Sequence, residues 1–293
     1  MNLSELLQQF FIRMGQSHSG YATGGTLSTL LDSYRNGEGR DKAWNNGSVF
    51  IVETTDNGAP EGEFSRISSS IASTWTLTLS PALTAAPGAG DLYMFTGPEY
   101  PLYDMIDIAN SALRKLGKMD QVDTTTLDSI SNQSRYAASA SWKYPFGPYR
   151  VDVALNTDAD DPQWVNEVDF EYEPGAPGVG GYIHFPTYPN HSSRDIRVWY
   201  RGTHPRVSAY DDAINEFLDD EVAIQAVLSA GLDWNNTRIR GGDKFLIQRG
   251  NKADTELSMA KQEEPTTHPQ PKTKLLTIRH RSRRLWPGDR NPT

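Results

Sequence analysis

The sequence predicts an α+β fold, in which helices flank a small antiparallel β unit and a second antiparallel β sheet or sandwich, followed by an extended C-terminal arm. Three observations carry that prediction. Apolar residues recur at helical spacing in separate blocks, period-two alternation appears in two others, and no 20- to 50-residue period repeats, which excludes solenoids and propellers. At 293 residues the chain is long enough for one large or two smaller cores. Its 24 glycines and 18 prolines, with 37% hydrophobic residues, make it globular but rich in loops.

Six segments follow in order. Residues 1–48 form an N-terminal helical and loop segment. Leu3, Leu6, Leu7, Phe10, Phe11 and Met14 mark an amphipathic helix that Gly15 stops. LSTLLDSY, in the polar glycine-rich stretch after it, reads as a second short helix. Residues 49–98 form the small β unit: VFIVETT, a strand with Trp75, Leu77 and Leu79 alternating against threonines, and DLYMF.

Residues 99–143 hold a helix and a connecting loop. Leu102, Met105, Ile106, Ala109, Leu113 and Leu116 share one face between Pro101 and the C-capping Gly117. Residues 144–207 form the second β domain, with strands expected in YRVDVAL, WVNEVDFEYEP, GGYIHFP and RDIRVWYRG. Residues 208–264 are C-terminal helices, the first opened by Ser208 and buried around Val222 to Leu228, the second in GDKFLIQRGNKADTELSMAKQ. Prolines in EEPTTHPQPK end regular structure before the arm, 265–293.

Chemistry is sparse. The absence of cysteine removes disulfides, thiolate zinc sites, iron–sulfur clusters and cysteine nucleophiles. Six histidines form no metal-spaced pair, and neither a nucleophile elbow, a Walker loop nor a kinase signature occurs. Asp158, Asp160 and Asp161 lack the glycine and distant glutamate of a calcium loop and read as a solvated turn. GAPGVGG has no following helix or lysine and reads as a hairpin turn. No cofactor or metal is expected, and no enzyme. The first residues lack a secretory pattern and no window has the length of a membrane span, so the chain is expected to be soluble and made in a cytoplasm.

The charge is lopsided. Seven cations and one acid leave residues 265–293 at +6, so the remaining 264 residues carry -15 within a chain of net charge -9. An acidic body repels the phosphate backbone, which argues against nucleic-acid recognition by anything but the arm. In the arm, Lys272, Lys274, Arg279, Arg281, Arg283 and Arg284 interleave with Leu276, Ile278, Leu285 and Trp286. Such interleaving suits strand addition or groove docking on a protein, the arginines reaching its acidic groups. The alternative reading of the arm is a solubilising end.

The succession of WNNGSVFIVETTDNGAPEGEFSRISSS, TWTLTLSPALTAAPGAGDLYMF, YPLYDMIDIANSALRKLG, RDIRVWYRGTHPRVSAYDDAI and an alanine-rich helix resembles virion structural proteins of tailed bacteriophages. Among them it is most similar to head-to-tail adaptor or neck proteins, over most of residues 20–260, in pattern rather than in any catalytic signature. The resemblance implies a homo-oligomeric ring, commonly of twelve copies, in the virion neck between capsid and tail. Its partners are the portal protein, reached by the C-terminal arm, and a downstream neck or tail protein; DNA passes through the acidic lumen without specific binding. Two other classes compete. A tail-tip, baseplate or fibre-attachment protein would use Trp164, Tyr172, Tyr182, Tyr188 and Trp199 on carbohydrate or another tail part. A glycan hydrolase would pair Asp169 with Glu171, although Val168, Phe170 and Tyr172 make those acids the solvent side of a half-buried strand.

Overall fold

The computed structural model describes residues 1–130, 132–142, 147–156, 163–167, 169–174, 181–185, 194–238 and 243–263. It is the α+β fold expected, with about as much strand as helix. The chain separates into two units, one built from Met1–Gly117 together with residues 203–263 and the other from Lys118–Gly202.

In the first unit, helix α1 (Leu3–Met14) has the stripe and caps that its sequence announces. Asn2 and Glu5 cap each other's backbone N–H groups, and Gly15 closes the helix at φ 66°. Strands β1 (Ser17–Tyr21), β2 (Gly24–Thr26), β3 (Thr29–Leu31), β4 (Ser48–Glu53), β5 (Phe64–Ile71), β6 (Thr76–Ser80) and β7 (Leu92–Thr96) form one sheet in the order β1-β7-β4-β5-β6-β3-β2. Only Ala22 and Thr23 separate β1 from β2, so one stretch of chain pairs with both outer strands and closes an all-antiparallel six-sided barrel. Leu30, Val49, Ile51, Ile67, Leu77, Leu79, Tyr93 and Phe95 fill its interior. Phe50, on the opposite face of β4, meets Phe11 of α1 at a centroid distance of 5.8 Å.

Two expectations fail here. LSTLLDSY is not helical: Thr29, Leu30 and Leu31 pair with β6, and only Ser33–Arg35 makes a 3-10 turn. Pairing supplies the backbone partners, and Leu30 is buried where a helix would have had no face to cover. Trp75 precedes its strand in the turn before β6, at φ 40° and almost fully buried.

Helix α2 (Leu102–Lys115) follows, and helices α3 (Asp220–Arg238) and α4 (Lys244–Glu263) complete the unit. α3 begins at Asp220 rather than near Ser208. Asp212 draws the N–H groups of Ser208 and Ala209 into a local loop, and Asp219 accepts from Glu221 and Val222 as the true N-cap. Residues ahead of α3 bind α1: Leu3 and Ser4 donate backbone N–H groups to Asp212 and Tyr210. Asn110 of α2 accepts from and donates to the backbone of Val207.

The second unit holds β8 (Met119–Asp128), β9 (Arg135–Ala137), β10 (Pro148–Ala154), β11 (Trp164–Glu167), β12 (Glu171–Glu173), β13 (Tyr182–His184) and β14 (Asp195–Gly202). One sheet has the order β11-β10-β14-β8 and the other β12-β13-β9. Leu127, Val151, Ile196 and Val198 of the first share a core with Tyr136 and Ile183 of the second, the expected sandwich. β8 and β9 lie in the stretch expected as a connecting loop.

Candidate functional site

All ten arm residues singled out by sequence, Lys272, Lys274, Leu276, Ile278, Arg279, Arg281, Arg283, Arg284, Leu285 and Trp286, lie outside the described residues. So do Asp158, Asp160, Asp161, Tyr188 and most of GAPGVGG. The described part instead displays three features that sequence reading did not assemble.

The first is a groove among α2, α3 and α4, with a volume of about 480 Å³. Leu116, Leu232, Leu246 and Leu257 line it, with Asp233 and Asp254 on its walls and Lys115 and Lys261 at its rim. Its origin is α4, whose apolar residues Phe245, Leu246, Ile247, Leu257 and Met259 do not form one stripe. Among its described side chains only Ala253 is buried, while Phe245 is 63% and Met259 59% exposed. At the groove, the buried Oδ1 of Asn236 has no hydrogen-bond partner among the described residues.

The second is the outer face of the larger sheet in the second unit. β10 and β14 are in register with Asp152 opposite Arg197 and Arg150 opposite Trp199, so these side chains share the face away from Val151 and Val198. The Asp152 carboxylate, fully buried, accepts from Arg150 Nε at 2.8 Å, Arg197 Nη2 at 3.0 Å and Trp199 Nε1 at 2.7 Å. Guanidinium and ring planes alternate across the face. Arg197 lies 4.4 Å from the Trp164 centroid and 5.1 Å from that of Trp199, and Arg150 lies 5.2 Å from Trp199. Further along, Asp120 pairs with Arg201 at 3.0 Å, and burial beside Asp120 raises the Tyr149 phenol above its usual range.

The third is a polar chain inside the barrel. Trp75 Nε1 donates to Tyr93 Oη at 2.9 Å, and Tyr93 donates to Asp32 Oδ2 at 2.8 Å. Arg35 closes the end over Trp75 and Phe95, with its Nε 3.4 Å from Asp32. Burial pushes the Tyr93 phenol well above its usual range, so it stays a donor. Every member is satisfied from within, which makes this a device for specifying the barrel core rather than a ligand site.

Glu171 is exposed on β12 opposite His184, while Phe170 and Tyr172 pack on the core as expected. Among the described residues no three His, Asp or Glu side chains converge to hold a metal, and no helix is long and apolar enough to cross a membrane. No family model matches the chain. Nor does any curated protein.

Proposed function

We propose that this chain is a structural subunit of a tailed-bacteriophage virion, a head-to-tail adaptor or neck protein forming a ring beneath the portal. In this reading it works by binding alone. Residues 272–286 reach the portal protein, the β units meet neighbours and a downstream neck or tail protein, and DNA passes through an acidic lumen without specific contacts. The observation that carries the reading is α4, a 20-residue helix that packs along α3 while Phe245, Ile247 and Met259 stay exposed among the described residues. A subunit that leaves this much apolar helix open is suited to neighbours on either side, and a contact between unlike faces closes into a ring when the rotation allows. The order of sequence segments and the acidic body support it independently.

The tail-tip reading draws little support from those of its aromatic residues that are described. Tyr172 packs on the core of the second unit, and the rings of Trp164 and Trp199 are stacked by Arg197 and Arg150. A sugar platform needs an uncovered ring face.

Negative-stain imaging of the purified protein, with and without portal rings, tests the proposal. A ring with an axial hole that caps the portal is expected, whereas trimers or needles reject a connector. Deleting residues 265–293 leaves the subunit folded and abolishes portal binding; normal decoration of portals by the truncated protein removes the arm from the mechanism.

A further inference from the structure

The Arg–Trp face of β10 and β14 holds more donors than its own acid uses. Arg150 gives Asp152 only its Nε, and Arg197 gives its Nε and Nη2. Both Nη groups of Arg150 and Nη1 of Arg197 therefore donate to nothing among the described residues. Arg150, Arg197 and Arg201 against the buried Asp120 and Asp152 leave the face at +1, although the seven cations and twelve acids of residues 118–202 sum to -5. Stacking on Trp164 and Trp199, with the bonds to a fully buried carboxylate, holds both guanidiniums in place, so little side-chain freedom is lost when a partner arrives. Arginine and tryptophan are also the residues that dominate protein interfaces, and the open end of a guanidinium meets a carboxylate with two parallel hydrogen bonds. This face fits a protein loop that carries exposed carboxylates and no cation.

The first unit presents such a loop. Residues 208–219, SAYDDAINEFLD, contain four acids and no cation. Asp212 and Asp219 are occupied by backbone N–H groups of the loop and of α3. Asp211 and Glu216 are exposed and accept from no donor among the described residues. The loop that carries them is ordered in advance: Leu3 and Ser4 of α1 donate to the carbonyls of Asp212 and Tyr210, and Leu218 is buried.

We propose that the Arg–Trp face of one copy binds the 208–219 loop of a second copy, with Asp211 and Glu216 on the open edges of Arg150 and Arg197. Unlike faces make the contact heterologous, so a pair still has one free face of each kind and association continues head to tail. The contact stands on charge complementarity between two ordered surfaces; its closure into a ring rests on the connector reading above.

Two variants separate the faces. Asn166 is exposed on β11 opposite Asp152, so Asn166→Glu sets a like charge against the loop and leaves Asp152 and its donors in place. Asp211→Asn with Glu216→Gln removes the free charges of the loop and keeps both capping acids. In sedimentation velocity of the full chain, the unaltered protein should grow beyond a monomer as concentration rises, and each variant alone should need about tenfold more protein to associate. Mixed, the two variants should form a dimer of one copy each, as tightly as the unaltered contact, and stop there, because one supplies only an intact loop and the other only an intact face. Asn166→Lys, which adds a cation to the same face, should tighten association, which a purely steric role of this position would not. An unaltered protein that remains monomeric, variants that associate as it does, or a mixture that stays monomeric each overturns the contact. A mixed dimer, found beside open filaments of the unaltered protein, upholds the contact and rejects the connector ring alone.

Discussion

Replacing Asp152 by Asn should destabilise the second unit by about 2–3 kcal/mol. The carboxylate is fully buried and accepts from Arg150, Arg197 and Trp199, so the change deletes the charge that two guanidiniums share. Asn keeps one acceptor oxygen for Trp199 and Arg197 but turns an N–H toward Arg150 Nε, which now sits 2.8 Å from an acceptor. Stranding the partner of a fully buried ion pair costs about 3–5 kcal/mol. Here the arginine side chains are 34% and 22% exposed and retain access to water, which brings the loss to the lower figure. Urea titration with hydrogen-exchange readout on peptides from β10 and β14 isolates this unit. With a denaturant slope of about 2 kcal/mol per molar, the midpoint should fall by about 1–1.5 M. A fall below about 0.3 M would show that the Arg–Trp face holds without its buried carboxylate.

Two further predictions concern the first unit. Gly231→Ala and Gly250→Ala are both mid-helix changes that gain about 0.8–1 kcal/mol in propensity, yet they should differ in sign. A Cβ at Gly231 lies 2.6 Å from the Phe10 ring, so overpacking outweighs the gain and a net loss of about 1–2 kcal/mol follows, whereas Gly250 keeps the gain; thermal unfolding reads both. His204 should make stability fall in mild acid. Its Nδ1 faces the Pro205 carbonyl at 2.7 Å and its Nε2 accepts the Asn215 N–H at 3.1 Å, so the buried ring is neutral and burial lowers its pKa from 6.5. The unfolded chain then binds the extra proton: stability is complete above about pH 7 and declines as pH drops through 6.5 toward the folded pKa, by at most about 1.4 kcal/mol per unit. His204→Gln should flatten that decline, and an unchanged slope would assign it to other groups.

The elements that carry their own signal were legible. α1 and α2 show apolar stripes with glycine stops, and β4, β6, β7, β10 and β14 show runs or alternation of apolar residues. The elements missed are those defined by partners. SHSGYATGGT has no apolar alternation and is a strand because both edges of the barrel pair with it. MDQVDTTTLD is an edge strand whose buried acid, Asp120, is held by Arg201 across from it and by the Tyr149 phenol. For α3 the expected opening at Ser208 fails because Asp212 holds Ser208 and Ala209 in the preceding loop, and the helix is capped by Asp219 instead. The groove was invisible for a similar reason: its lining comes from three helices spread over residues 112–261, and the orphan acceptor on Asn236 appears only once they pack.

Closing the barrel with residues 17–26 also sets an order on synthesis. Ser17 cannot meet Thr96 until about 80 more residues have left the ribosome, roughly 4–16 s at common elongation rates. Leu3 waits longer still, because its hydrogen-bond acceptor is Asp212 and the face carrying Phe10 is covered by α3. The described part of the second unit, spanning Lys118 to Gly202, is synthesised after Thr96 but before Asp212, the partner of Leu3, emerges. A nascent chain of this protein therefore carries the strands of the second unit while the first unit is still open, with the Phe10 side of α1 bare until Gly231 of α3 is made.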